Sequence, residues 1–168
     1  MEAEFRDAFI FNPENIKANH EGKLTEQQKN KMRDMRLYTS IGSLLAVIMV
    51  AGSMLFFLLD VGKGLDSITL ILLEGLLAMI LILACIYGIA RWQVLTGDIN
   101  IGHVAYVSGK IVVKSYRVGK SIQRHYKIMI KAMSWEISSG AAKKLDATQK
   151  HRLYYAQKSK FILSIEAI

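Results

Sequence analysis

Two long apolar runs dominate the distribution of hydrophobic and polar positions along the chain. Residues 37–59 contain no charged side chain in 23 positions, and residues 68–90 form a second run of 23 that is interrupted only by Glu74. A helix rises about 1.5 Å per residue, so either run is long enough to cross a hydrocarbon layer of about 30 Å. The pattern predicts a transmembrane helical hairpin over residues 37–91, with spans at 37–59 and 68–90.

From residue 97 onward, short alternating segments replace the long runs. The segments rich in β-branched and aromatic residues are 104–113, 126–130, 135–137, 153–155 and 161–165, and 140–147 is typical of a helical turn. This order predicts a small β-barrel-like domain at 97–168, of the OB or SH3-like kind, with the order β-β-β-α-β-β. The predicted fold class is therefore membrane α + β.

Strand alternation also predicts which side chains are buried in this domain. Ile128 and Ile130 are expected to face inward and Lys127 outward. Tyr154 and Tyr155 must face opposite sides of one strand, which would pack one and display the other. Core packing is the favoured interpretation for this pair and for Trp135.

The N-terminal arm, residues 1–36, carries two helix-start signals. Asn12 before Pro13 is typical of an N-cap, and Gly22 can close that short helix. Thr25 and Gln28 have the spacing of a capping box at the start of a second helix. We expect this second helix to run straight into the membrane. Its cytoplasmic portion mixes charges with amides and is expected to be solvated.

Lysines and arginines are distributed unevenly around the apolar runs. There are 7 before Leu37, 1 in the connection 60–67 and 14 from Arg91 onward. Because short cytoplasmic segments carry the excess of Lys and Arg, both termini are predicted to face the cytoplasm. The element order is a two-helix anchor followed by a basic OB-like domain, and it resembles the layout of short NfeD-type membrane proteins. The resemblance implies a role as a partner in membrane proteostasis. It implies no particular functional residue and no activity.

Glu74 is the one carboxylate inside the apolar runs. It lies six positions inside the second span, so its side chain can reach the outer interface and meet Lys63. The alternatives are a polar contact with a partner's membrane helix and a path for ions or protons. A transport path normally needs several intramembrane polar groups.

Small residues at helical spacing predict how the two spans pack. They are Gly42, Ala46, Gly75, Ala78 and Cys85. A seam for oligomerisation would use the same residues.

The C-terminal domain has 14 basic and 4 acidic residues from Arg91 onward. Lysines at outward strand positions predict one basic face, formed by Lys110, Lys114, Lys127 and Lys131. Its expected partner is the anionic membrane surface, followed by an acidic surface of another membrane protein. Nucleic acid is the least favoured partner and would need Tyr116, Tyr126 or Tyr154 as stacking platforms.

The sequence contains no recognisable catalytic or metal-binding pattern. The histidines His20, His103, His125 and His151 have no zinc-site spacing with each other, with cysteine or with acids. Neither a nucleophile elbow nor a phosphate-binding loop is present in the sequence. We therefore expect a non-enzymatic membrane scaffold or accessory subunit without cofactor or metal, which binds lipid and another membrane protein or a second copy. The alternatives are a homo-oligomeric channel that uses Glu74 and a membrane-tethered nucleic-acid binder.

Overall fold

The computed structural model describes residues 10–56, 67–117 and 124–168. Its helices are α1 (Pro13–His20), α2 (Glu26–Phe56), α3 (Ser67–Ile101) and α4 (Ser139–Lys144). Its strands are β1 (Val104–Lys110), β2 (Val112–Arg117), β3 (Arg124–Ile130), β4 (Met133–Ile137), β5 (Lys150–Ala156) and β6 (Ile162–Ala167). The chain divides into two compact units. The described residues up to Asn30 and from Asn100 onward form the β unit, and Lys31–Ile99 form the helical unit.

Both helix starts in the N-terminal arm are built by their capping residues. The Asn12 side chain accepts from the amide two residues further on at 3.0 Å, Pro13 opens α1, and Gly22 follows the helix with φ +74°. At the start of α2, Thr25 Oγ1 accepts from the Gln28 amide at 3.2 Å and Gln28 Oε1 accepts from the Thr25 amide at 3.1 Å. The structure confirms the predicted N-cap and the predicted capping box.

The long helices expose apolar side chains along most of their length. α2 has 31 residues and α3 has 35, because each continues beyond its apolar run into a polar flank. Both contain an apolar window long enough to cross a membrane, and 0% of either window is buried. The exposed large side chains include Leu44, Leu45, Ile48, Met49, Ile82, Leu83, Ile86 and Ile89. Two helices compatible with membrane spans are thus present, and the connection predicted at 60–67 lies almost wholly outside the described residues.

Within the helical unit, α2 and α3 meet along one antiparallel seam. A Cβ atom added at Gly88 would lie 2.6 Å from Oγ and 3.0 Å from Cβ of Ser43, so the helix backbones approach closely here. Elsewhere on the seam, an Arg36 guanidinium nitrogen donates to Thr96 Oγ1 at 3.1 Å, and the guanidinium lies 4.4 Å from the centre of the Trp92 ring. Arg36 precedes Ser43, whereas its partners follow Gly88. The two helices therefore run in opposite directions.

The β unit contains two three-stranded antiparallel sheets. One has the order β1-β5-β6 and the other β2-β3-β4. The single strand predicted at 104–113 is divided at Ile111, which is only 2% exposed and carries the chain from one sheet into the other. The order is therefore four strands, a helix and two strands, with one strand more before the helix than predicted. The described strands do not close into a barrel, and the partly closed OB or SH3-like topology stays a prediction.

The inner faces of both sheets share one hydrophobic core. Its fully buried side chains include Ile128, Ile130, Leu153 and Ile165. The Trp135 ring lies 5.5 Å from that of Tyr155, and its indole N–H donates to the Lys160 carbonyl at 2.9 Å. A further set of partly buried side chains packs against this core: Phe11, Ala105, Val107, Val113, Met133, Ile137, Phe161 and Ile162. The inward positions predicted for Ile128 and Ile130 are confirmed.

The N-terminal arm is docked on the other face of the β5-β6 pair, although the polar start of α2 was expected to be solvated. Asn19 Nδ2 donates to Ser164 Oγ at 2.6 Å, and Gln28 Nε2 donates to the Leu163 carbonyl at 3.2 Å. Asn19 and Gln28 are both buried. Because α1 covers this face, Tyr154 is also buried, at 2% exposure. Tyr155 is buried as well, so core packing of the pair is confirmed and neither tyrosine is displayed.

Candidate functional site

The sheet β2-β3-β4 places lysines side by side on its outer face. In its register Lys114 is directly opposite Lys127, and Lys127 is directly opposite Glu136. Like charges directly opposite each other destabilise a strand pair. Of the predicted basic face, the structure brings together Lys114 and Lys127.

The other two predicted lysines lie elsewhere. Lys110 belongs to β1, in the other sheet, where it is directly opposite Lys150. Lys131 follows β3 in the tight turn before β4, with φ 54°. The single basic face predicted from strand alternation thus becomes two separate lysine pairs and a turn lysine, because Ile111 divides the first strand.

A third pair of opposed cations stands at the end of the β2–β3 ladder. Arg117 is directly opposite Arg124, and both side chains are exposed. They line a surface cleft together with Ser115 and Tyr116. Sequence reasoning missed both arginines because it considered only lysines at outward positions.

The distribution of acidic residues along the sequence could have indicated this cationic cleft. No acidic residue occurs between Asp98 and Glu136. Half of the 14 basic residues from Arg91 onward fall in that interval. They are Lys110, Lys114, Arg117, Lys120, Arg124, Lys127 and Lys131. A β-hairpin without any acid cannot neutralise its own cations.

Tyr116, the aromatic side chain beside the lysine pair, already has two interaction partners within the β unit. Tyr116 stacks on His125 with ring centres 5.5 Å apart and donates a hydrogen bond from its hydroxyl to Glu136. That hydrogen bond to a carboxylate raises the pKa of Tyr116 above its ordinary value of 10.0. The other predicted stacking platforms are less accessible, since Tyr154 is buried and Tyr126 is half-buried.

A second polar cluster surrounds Glu166 where α1 lies on β6. Its carboxylate accepts from the Tyr154 hydroxyl at 2.8 Å, contacts His20 Nε2 at 2.9 Å and forms an ion pair with Arg152 at 3.4 Å. Burial raises the pKa of Tyr154, and the hydrogen bond to Glu166 raises it further. The cluster joins α1, β5 and β6, which gives it a structural role.

Glu74 lies on the half-buried side of α3. Its Oε1 atom is shielded from solvent and has no hydrogen-bond partner within the part of the chain that the structure describes. Its predicted partner Lys63 lies outside the described residues. An unpaired polar atom in an apolar setting carries a desolvation cost, which a polar group from another helix would reduce.

The residues predicted to pack the two spans are divided between the seam and the exposed faces. Ala46 and Ala78 are half-buried, whereas Gly42, Gly75 and Cys85 are exposed. A Cβ atom at Gly42 or Gly75 would meet nothing within 4 Å. The close approach occurs instead between Ser43, one residue after Gly42, and Gly88, three residues after Cys85.

Among residues 10–56, 67–117 and 124–168, no group of three or more histidine, cysteine or acidic side chains could hold a metal ion. Comparison with protein-family models, with curated proteins and with solved structures found no match for this chain.

Proposed function

We propose that this chain is a two-pass integral membrane protein that serves as a non-enzymatic interaction subunit. Residues 37–59 and 68–90 cross the bilayer, and both termini lie in the cytoplasm. The hairpin docks on the helices of another membrane protein or of a second copy, and the β unit binds anionic lipid headgroups. An acidic protein surface is the alternative partner of the β unit.

The observation that carries this proposal is the docking of the N-terminal arm on the last strand. Asn19 and Ser164 are hydrogen-bonded although 145 positions separate them, and both apolar helices lie between them in the chain. This contact supports placing the segments before α2 and after α3 on the same side of the membrane, which an even number of crossings provides.

The exposed apolar side chains support lipid as the solvent of the helical unit. Leaving one Leu or Ile side chain in water forfeits about 1.5–3 kcal/mol relative to burial. Leu44, Leu45, Ile82 and Leu83 are each more than half exposed. A bilayer covers such side chains around the whole perimeter of the helix pair, which a single protein contact does not.

The opposed cation pairs support an anionic partner for the β unit. Each basic residue held near an anionic leaflet gains about 1 kcal/mol. An anion between Lys114 and Lys127 would also relieve the repulsion between the two ammonium groups. Because the β unit is connected to a membrane helix, it stays at a high effective concentration near lipid headgroups.

Topology is tested by cysteine labelling in intact cells with a membrane-impermeant maleimide. In a Cys85→Ala background, Lys63→Cys should be labelled from outside, and Ser134→Cys should be labelled only after permeabilisation. Extraction with alkaline carbonate should leave the chain in the membrane. Labelling of Ser134→Cys in intact cells would overturn the orientation, and release by carbonate would overturn the membrane assignment.

Lipid binding is tested with the full chain in nanodiscs. Amide hydrogen exchange over residues 112–130 should slow in discs that contain phosphatidylglycerol relative to phosphatidylcholine discs, and the difference should shrink at high salt. Equal exchange in both discs would exclude lipid as the partner of the β unit and leave the acidic protein surface.

Glu74 supports a second candidate role, in which its shielded carboxyl oxygen binds a polar group on a partner helix. Glu74→Gln keeps the size and the hydrogen-bonding capacity but removes the charge. Unchanged partner recovery after mild-detergent purification, combined with loss of ion flux in liposomes, would favour transport over docking. Loss of the partner with both Glu74→Gln and Glu74→Ala would favour docking through the carboxylate.

A further inference from the structure

Among the described residues, Arg117 and Arg124 form the directly opposed pair of the β2–β3 ladder that lies farthest along β2. Side chains in such a pair leave the backbone on the same face, with Cβ atoms about 4.5–5.5 Å apart. Ser115, two residues back on β2, points to that same face. Two guanidinium groups and one hydroxyl thus converge on a surface cleft.

Nothing in the described part of the chain neutralises these two guanidinium groups. Neither arginine has an ion pair or hydrogen bond with a carboxylate among the described residues. The hairpin sequence that joins β2 to β3 contains no acid either. Two opposed cations without a carboxylate repel each other, and an anion held between them removes that repulsion.

We propose that this cleft, the arginine cleft, binds the phosphomonoester headgroup of an anionic membrane lipid. The inference rests on the proposed function, because it names the lipid that the β unit recognises. Each guanidinium can donate two parallel hydrogen bonds to phosphate oxygens, and Ser115 can donate a further one. A phosphomonoester carries close to two negative charges and so matches two arginines, whereas a phosphodiester carries one.

The lysine pairs elsewhere in the β unit lack this geometry. Lys110 and Lys150 are opposed in the same way and carry the same charge. An ammonium is a point charge without the planar fork that matches phosphate. The lysine pairs therefore bind anionic surfaces in general, and the arginine cleft distinguishes between headgroups.

The aromatic side chains beside the cleft favour lipid over nucleic acid. Single-stranded nucleic acid is held by stacking of successive bases on free aromatic faces. Tyr116 lines the cleft, but its ring stacks on His125 and its hydroxyl is bonded to Glu136. A phosphate held by arginines needs no aromatic platform.

The test compares the full chain in nanodiscs that contain phosphatidic acid or phosphatidylglycerol, with phosphatidylcholine as the neutral lipid. The two anionic lipids are matched for total charge, and the readout is slowing of amide exchange over residues 112–130. The wild type should reach half-maximal protection at an about tenfold lower content of phosphatidic acid than of phosphatidylglycerol. Inorganic phosphate added to neutral discs should not reproduce the protection at comparable concentration, which separates a lipid headgroup from free phosphate.

Three double variants complete the design. Arg117→Gln with Arg124→Gln should abolish the preference for phosphatidic acid, and Arg117→Lys with Arg124→Lys should abolish it while binding to both anionic discs persists. Lys110→Gln with Lys150→Gln removes the same charge as the first variant and should weaken binding to both discs while the preference persists. All three change exposed strand positions, and circular dichroism checks that the fold is kept.

Each outcome separates the inference from the function on which it rests. Equal protection of the wild type by the two lipids overturns the arginine cleft but leaves a β unit that binds anionic lipid. The same conclusion follows if Lys110→Gln with Lys150→Gln loses the preference as fully as Arg117→Gln with Arg124→Gln. No protection by either lipid overturns both. Stronger protection by a single-stranded oligonucleotide in neutral discs than by phosphatidic acid assigns the cleft to nucleic acid instead.

Discussion

At the scale of single residues, Gly88 controls how closely α2 and α3 approach. Gly88→Ala would place a methyl group 2.6 Å from Ser43 Oγ and 3.0 Å from its Cβ. Rotation of the serine hydroxyl cannot relieve the second contact, so the helices must separate. We expect a loss of about 1–3 kcal/mol in the free energy of unfolding, measured in detergent.

Two companion variants test the cause of that loss. Gly75→Ala should be tolerated, because its Cβ would meet nothing within 4 Å. Ser43→Gly combined with Gly88→Ala should restore most of the stability, because it removes the atoms that the methyl group meets. Equal losses at Gly75 and Gly88 would show that the seam is not where these contacts place it.

Gln28 has a fully buried side chain that joins the arm to β6. Gln28→Ala would leave the Thr25 amide and the Leu163 carbonyl without this partner, and each unsatisfied buried group costs about 1–3 kcal/mol. Because two groups lose their partner, we expect the free energy of unfolding to fall by about 2 kcal/mol or more. Lys17→Ala, at an exposed position on α1, is the matched control and should change stability little. A similar small effect for both variants would mean that the arm contributes nothing to the stability of the β unit.

Asp146 gives the β unit a pH dependence on the acid side. Its carboxylate accepts from the Thr148 hydroxyl at 2.6 Å and from the Thr148 amide at 2.9 Å, and these bonds lower the pKa of Asp146 below its ordinary value of 3.8. The stability that it contributes is present above pH 3.8 and is lost as the pH falls through the lowered pKa. The melting temperature of the wild type should exceed that of Asp146→Asn at neutral pH, and this difference should vanish in stronger acid. A difference that grows on acidification would contradict the assignment.

Residues with a local signature could be predicted from the sequence, and residues with only a tertiary role could not. Asn12 and Thr25 were predicted because caps depend on spacing of two or three positions. Gln28 was predicted as a cap, but its burial was not, since an amide that bonds a distant carbonyl has no periodic signal. The pairing of Arg117 with Arg124 depends in the same way on strand register, which the sequence does not display.

At the scale of elements, alternation located the strands but not their grouping into sheets. Ile128 and Ile130 are buried as predicted, because one face of β3 lies on the core. The break at Ile111 was not predicted, since this residue is β-branched and continues the strand pattern of its neighbours. That one residue sends β1 and β2 into different sheets.

The membrane spans lead to a prediction for α3 as an element. Met79, near the middle of the second apolar run, is 52% exposed. Met79→Lys should cost about 2.5–3.5 kcal/mol on insertion at the bilayer centre and should reduce the membrane-integrated fraction of the chain. Gln93→Lys places the same charge beyond the span and should integrate normally. Equal integration of the two variants would contradict the assignment of residues 68–90 to the bilayer.

At the scale of the whole molecule, the arm and the C-terminal segments fold as one β unit although the sequence between them forms the helices. Insertion of a third apolar helix of about 20 residues between α3 and β1 should separate the two parts across the membrane. Amide exchange over residues 10–30 should then become fast. A polar Gly-Ser insert of the same length is the control and should leave exchange slow, whereas slow exchange with the apolar insert would contradict the same-side arrangement.

The docking of α1 on β6 has a consequence for biosynthesis. The strand that binds the arm is translated after both apolar helices. At about 5–20 residues per second, the 145 positions between Asn19 and Ser164 take roughly 7–30 s to translate. During this interval the nascent arm waits in water without its binding surface. The amide side chains of Asn19 and Gln28, through which the arm later docks, are solvated by water during this interval. They therefore do not promote aggregation of the unfinished chain.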